Sequence, residues 1–168
     1  MSDTLCYIGL GANLAEPMLQ LQRAVLALQN IQATQLLAVS SFYGSKPMGP
    51  QDQPDYVNAV AAVQTGLTAE QLLDALQKIE LEQGRQRKDE RWGARTLDLD
   101  ILLFGDLELC TERLTLPHYG MKTREFVLYP LFEITPDLQL PDGSCLSDLL
   151  QLVPRNGLTI LQAAPKVR

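Results

Sequence analysis

One stretch near the middle of the chain, TLDLDILLF at residues 96–104, constrains the fold more than any other. Its apolar side chains recur at every second position, which fits a pleated strand and no helix, because strand side chains alternate between faces. Leu97, Leu99 and Ile101 therefore project to one side, toward a core, while Asp98 and Asp100 project to the other. The two aspartate Cα atoms would lie about 6.6 Å apart, so both carboxylates can reach one or two hard cations. Left uncompensated at the edge of a core the pair repels, so positive charge is expected beside it, with Mg²⁺ the natural candidate. A solvated strand face, with both acids paired to surface Lys or Arg, is the competing reading, because D-x-D is a short pattern.

The neighbouring segment weighs against that alternative. RQRKDERWGAR, residues 85–95, holds five of the 14 basic residues against two acids, a net +3 in a chain whose overall charge is -6. A positive island joined to a paired-acid strand suits a metal-bound polyphosphate, since roughly four negative charges on a triphosphate are offset by two Mg²⁺. An exposed solubilising turn is the ordinary meaning of such a run. Trp92, the one Trp of the chain, is an odd choice for a fully solvated loop, and Gly84 and Gly93 suit a loop that moves over a ligand. The acidic balance of the whole chain has the wrong sign for a general nucleic-acid binder.

Periodicity supplies the remaining elements. Residues 4–10 predict a buried strand, GLGAN after it has the composition of a turn, and Pro17 with Leu21, Val25 and Leu28 predicts a helix ending at Asn30. Residues 37–42 alternate as a strand, and residues 45–56, with three prolines and a glycine, form a long loop. Residues 57–65 predict a strand with Val57, Ala59, Ala61 and Val63 on one face. Thr68 and Gln71 form a capping box for a helix striped by Leu72, Leu73, Leu76 and Ile79 and stopped at Gly84. The order β-α-β-β-α-β is that of an α+β, ferredoxin-like sandwich in one domain over residues 1–168, with helices on one face of a single sheet. The turn-rich C-terminal extension beyond Gly105, including the apolar stretch FVLYPLFEI and a helical run at residues 146–152, is long enough to wall a pocket, and the residues from Leu149 on are expected to be peripheral helix and tail.

Standard nucleotide fingerprints are missing: there is no G-x-x-x-x-G-K-[ST], and GLGANL has Leu14 where a third glycine would fall. His118, the one histidine, sits in the turn LPHYG, where a surface role is commonest. Tyr56, Asn58 and Phe126 offer two rings and an amide that would hold a flat heterocycle, although core packing is the usual fate of aromatics. Three cysteines without a C-x-x-C pair, and a start (MSDTLCYIGL) without a signal pattern, lead to the expectation of a cytoplasmic protein. Two rivals stay open at this level: a ferredoxin-like module for single-stranded RNA, and a D-x-D sugar-nucleotide transferase.

The segments GPQDQPDYVNA, RQRKDERWGARTLDLDILLFGD and LTLPHYGMKTREFVLYPLFEI resemble those of the 6-hydroxymethyl-7,8-dihydropterin pyrophosphokinases of folate biosynthesis, a likeness running from Tyr7 to about Gly143. The resemblance implies transfer of pyrophosphate from ATP to the pterin hydroxymethyl group with release of AMP, two Mg²⁺ and a ferredoxin-like fold. It implies that Asp98 and Asp100 hold the metals and that Arg85 and Arg95 steady the transferring group. Gln77, Glu80, Arg87, Trp92, Ile101, Arg113, Thr115, His118, Tyr119 and Arg124 match the ATP-contacting positions. Tyr56, Asn58 and Phe126 match the pterin site, whose edge would be lined by Gly11 and by Ser45, Lys46 and Met48. A monomer acting on a small-molecule pterin, with no nucleic-acid or membrane partner, is the matching expectation. Lys46 and Glu125 depart from the residue types usual in the family.

Overall fold

The computed structural model describes residues 3–13, 16–45, 56–83, 97–155 and 157–164. In chain order the elements are β1 (Thr4–Ala12), α1 (Pro17–Gln29), β2 (Thr34–Val39), β3 (Phe42–Ser45), β4 (Tyr56–Thr65), α2 (Ala69–Glu82), β5 (Asp98–Phe104), the short β6 (Leu109–Cys110) and β7 (Thr115–Leu116), α3 (Glu125–Ile134), α4 (Leu146–Leu152) and β8 (Thr159–Gln162). The main sheet runs β5-β1-β4-β3-β8, with β2 also on β4, and every pairing in it is antiparallel. This is the ferredoxin-like order read from the sequence, with one strand added at the β3 edge.

The helix-side core forms as the periodicities require. Leu21, Ala24, Val25 and Leu28 of α1, with Leu72, Leu73, Leu76 and Ile79 of α2, pack on Ile8, Leu10, Val57, Ala59, Ala61, Val63, Leu99 and Ile101. The capping box starts α2: Gln71 N donates to Thr68 Oγ1 at 3.2 Å, and Thr68 N donates back to Gln71 Oε1 at 2.9 Å. Removing such a cap costs about 1 kcal/mol.

The opposite face departs from expectation. Helices on one face alone were expected, yet α3 and α4 cover the second face, burying Val127, Leu128, Leu131 and Leu146 against Tyr7, Val60, Ala62 and Leu102. The reason lies in β1, β4 and β5, whose apolar residues occupy both faces, so two layers of helix are needed to keep them dry. FVLYPLFEI is thus a helix. Its Pro130 lacks an N–H for the carbonyl four residues back, and that broke the sequence pattern without breaking the packed helix.

Three boundaries also differ. GLGAN is no turn, since β1 continues through Gly9 and Gly11 to Ala12, pairing with β4 on one side and with β5 on the other. The strand expected at residues 37–42 is two strands, broken where the Ser40 side chain takes a rung of the ladder. Ser40 N donates to Val60 O at 2.8 Å and Val60 N donates to Ser40 Oγ at 2.9 Å. The tail is not only peripheral helix, because Thr159–Gln162 adds β8 to β3.

Candidate active site

The sheet face under α3 carries a row of cross-strand neighbours that explains where a cavity opens. In register across four strands lie Asp98 of β5, Gly11 of β1, Asn58 of β4 and Tyr43 of β3, and Asp100 pairs likewise with Gly9. Cross-strand neighbours share a face, so the two glycines leave a trough between the acids and the Asn58 amide. At Gly11 a Cβ would stand 2.8 Å from Asn58 Nδ2, so any larger residue there has to displace the amide. Gly9 and Gly11 keep their places because an i, i+2 pair in a strand points both missing side chains the same way.

A cavity of about 230 Å³ fills this trough, lined by Gly9, Gly11, Tyr56, Asn58, Asp98, Asp100, Leu102, His118, Arg124, Phe126 and Val127 among others. Asn58 is buried while Tyr56 and Phe126 are half-buried, so two rings and an amide converge as a flat ligand would need. The Arg124 guanidinium lies 5.5 Å from the Tyr119 ring centroid and 5.8 Å from that of Phe126. Such cation–π placement keeps its charge at the cavity rim without an acid partner being needed for its position.

A second cavity of about 350 Å³ adjoins it, lined by Gln77, Glu80, Leu99, Asp100, Ile101, Thr111, Glu112, Arg113, Thr115, His118 and Tyr119 among others. Asp100 and His118 line both, so they stand on the shared wall. Arg113 is held at the rim of the second cavity by Asp74 Oδ1 at 2.6 Å and Gln77 Oε1 at 3.2 Å. Glu80 is buried and its Oε2 accepts Leu99 N at 2.8 Å, gripping the peptide between the two aspartates. Ile101 lines this cavity from β5 while belonging to the helix-side core.

The electrostatics of the shared wall favour a neutral imidazole. His118 is pushed below its ordinary pKa first by burial, with Arg124 adding to the fall and Asp100 opposing it. Its Nδ1 accepts the Gly120 N–H at 3.1 Å, so the neutral ring carries its proton on Nε2. The ring also stacks on Tyr119 with centroids 4.7 Å apart.

Every described residue of the expected site thus falls in one cavity or the other, apart from Ser45, which closes β3 opposite Tyr56 in register. Arg124 lines the first cavity rather than the second. Arg85, Arg87, Trp92, Arg95, Lys46 and Met48 lie outside the described residues. Gly9 and Asp74 were not singled out from the sequence. The spacing of Gly9 two before Gly11, read as strand rather than turn, is the signal that would have found the first.

The donor set fits Mg²⁺. Two carboxylates on one strand face offer hard oxygens, and among the described residues no group of three or more His, Cys, Asp or Glu forms a cage made by protein alone. A site of that kind leaves coordination positions to phosphate oxygens and water.

A family model described as 7,8-dihydro-6-hydroxymethylpterin-pyrophosphokinase (HPPK) matches residues 7–136. A 2-amino-4-hydroxy-6-hydroxymethyldihydropteridine pyrophosphokinase of Pseudomonas aeruginosa is 56% identical over 158 residues, covering 94% of this chain and 97% of that one. The enzyme of the same name from Haemophilus influenzae is 57% identical over 145 residues, covering 86% and 90%. Among solved structures, a Plasmodium falciparum HPPK-DHPS with pteroate aligns at a TM-score of 0.71 and 12% identity over 89% of this chain, a likeness of fold. The chain spans 42% of that longer one.

Proposed function

The chain belongs to the 7,8-dihydro-6-hydroxymethylpterin-pyrophosphokinase family, and from that premise we propose that its two adjoining cavities divide the substrates, the pterin in the first and ATP in the second. The reaction is transfer of pyrophosphate from ATP to the hydroxymethyl group of 6-hydroxymethyl-7,8-dihydropterin, in folate biosynthesis. The observation that carries the division is the shared wall. Asp98 and Asp100 rise from one strand face beside a slot made by Tyr56, Asn58 and Phe126, and Asp100 with His118 borders the chamber of Gln77, Arg113, Thr115 and Tyr119.

In this reading Tyr56 and Phe126 flank the pterin ring and the Asn58 amide bonds its edge, which sets the hydroxymethyl oxygen toward the aspartates. Attack at the β-phosphorus forms the new O–P bond and breaks the bond to the α-phosphate oxygen, leaving AMP. Arg113 and the Nε2–H of neutral His118 donate to phosphate oxygens, while Arg124 supplies positive charge at the junction. Glu80 acts through the Leu99 N–H, setting the strand so that both aspartates face the same place. Asp98 and Asp100 would hold two Mg²⁺, which when bound neutralise phosphate charge and lower the pKa of the pterin hydroxyl. The hydroxyl proton then passes to solvent water, so no protein base is required. Arg85 and Arg95 steady the transferring group, and Arg87 and Trp92 complete the nucleotide contacts, with Ser45, Lys46 and Met48 at the pterin edge.

A monomer suffices, since both cavities are built within one chain. The cytoplasm suits three free thiols, two of them exposed and Cys6 buried with its pKa raised to about 12. Among the described residues no helix is long and apolar enough to cross a membrane. Incubation with the dihydropterin, ATP and Mg²⁺ should yield AMP and the pterin pyrophosphate by mass. ADP as the sole nucleotide product would reject the reading.

A further inference from the structure

One polar cluster lies outside both substrate chambers yet joins two of their walls. Glu133, near the C-terminal end of α3, accepts hydrogen bonds from the Ser41 N–H at 3.0 Å to each carboxylate oxygen. It also accepts from Ser41 Oγ at 2.9 Å and from the Tyr43 hydroxyl at 2.6 Å. Ser41 and Tyr43 are themselves buried. Bonds of this kind to a charged acceptor are roughly twice as strong as neutral ones.

The cluster is placed to control the ring slot. Tyr43 is the register partner of Asn58. Phe126 precedes Glu133 by seven residues in α3, two helical turns, so both lie on one side of the helix about 10 Å apart. The carboxylate therefore links the helix carrying Phe126 and Val127 to the strand row carrying Asn58. On the same side of α3, between Phe126 and Glu133, Tyr129 Oη donates to Val153 O at 2.9 Å and ties the helix a second time. Burial first, then the bond to Glu133 and its charge, push the Tyr43 phenol upward while Arg155 opposes the shift, so the hydroxyl stays a donor at neutral pH.

We propose that Glu133 is a positioning residue for the pterin: bracketed by Ser41 and Tyr43, it fixes the distance between the α3 wall and the sheet floor of the first cavity. This rests on the assignment of that cavity to the pterin. Glu133→Gln keeps the shape but removes the charge and puts an NH₂ where Ser41 Oγ donates, so the Ser41 hydroxyl must turn to accept and the bonds that remain are neutral and weaker. Steady-state kinetics well below the melting temperature test it. Glu133→Gln is expected to raise the KM for the dihydropterin on the order of 10-fold while the KM for ATP and kcat stay within about twofold. Tyr43→Phe, which removes one bond of the bracket, should raise the same KM less, and the double variant should be no worse than Glu133→Gln alone.

A lower melting temperature with an unchanged pterin KM would overturn the inference, as would equal rises in both KM values or a fall in kcat alone. Should Glu133→Gln fail to fold, Tyr43→Phe and Ser41→Ala decide in the same way. Phe126→Ala separates the two levels of the claim. If it leaves the pterin KM unchanged, the cavity assignment fails; if it raises that KM and the Glu133 variant does not, the bracket alone fails.

Discussion

The two faces of the sheet are built from the same strands and both carry core, but the row through Gly9 and Gly11 opens on one of them alone. Under α1 and α2, the alternate residues Ile8, Leu10, Val57, Ala59 and Ala61 meet helical stripes and form core, and only at its β5 edge do Leu99 and Ile101 also border the second cavity. Under α3, the intervening residues are Gly9, Gly11, Asn58, Asp98 and Asp100, and the result is a cavity. A shift of one residue along β1 and β5 thus separates stability from chemistry. A face becomes a site where side-chain volume is withdrawn and polar groups are left converging, while the opposite face supplies the rigidity that holds them.

The sharpest way to break this contrast is on the open face. Asp100→Ala should lower kcat/KM on the order of 10³-fold while leaving the melting temperature unchanged or raised, because one of two close acids is removed. Activity retained alongside lost stability would make the pair structural. On the closed face the pattern should invert: Leu72→Ala is expected to cost about 2–5 kcal/mol of unfolding free energy by denaturant titration, with KM values unaltered below the transition.

A substitution at the seam sharpens the comparison further. Gly11→Ala pushes a methyl against Asn58 Nδ2, and we expect the pterin KM to rise about 10-fold with a smaller change for ATP. Thr68→Ala, at the cap of α2, should cost about 1 kcal/mol of stability and leave both KM values alone.

The smallest effect expected is one of pH. Because the folded His118 has a lowered pKa, the unfolded chain binds its proton more readily, so its contribution is intact above about pH 6.5 and declines as pH falls below that value. The melting temperature of His118→Gln should therefore depend less on pH below 6.5 than that of the parent protein. Equal slopes would mean that the imidazole titrates as if free.

Much of this was legible in the chain because local signals agreed with one another. The capping box at Thr68, the alternation of TLDLDILLF and the stripes of α1 and α2 each have a short-range cause, and each formed as expected. Three features misled for equally physical reasons. Pro130 disguised α3, the glycines of GLGAN resembled a turn, and Ser40 interrupted a strand by substituting its hydroxyl for a backbone rung. None of these can be weighed without knowing what lies across the sheet.

From its sequence alone this protein had its β-α-β-β-α-β core up to Phe104 legible, together with the pairing of Asp98 with Asp100 on one strand face, because periodicity and capping act within a few residues. Only tertiary structure decided that a second helical layer would cover the other face, that Gly9 and Gly11 would lie between the acids and Asn58, and that Glu133 would reach Ser41 and Tyr43. Those contacts join residues far apart in the chain, and register across strands, not local preference, brings them together.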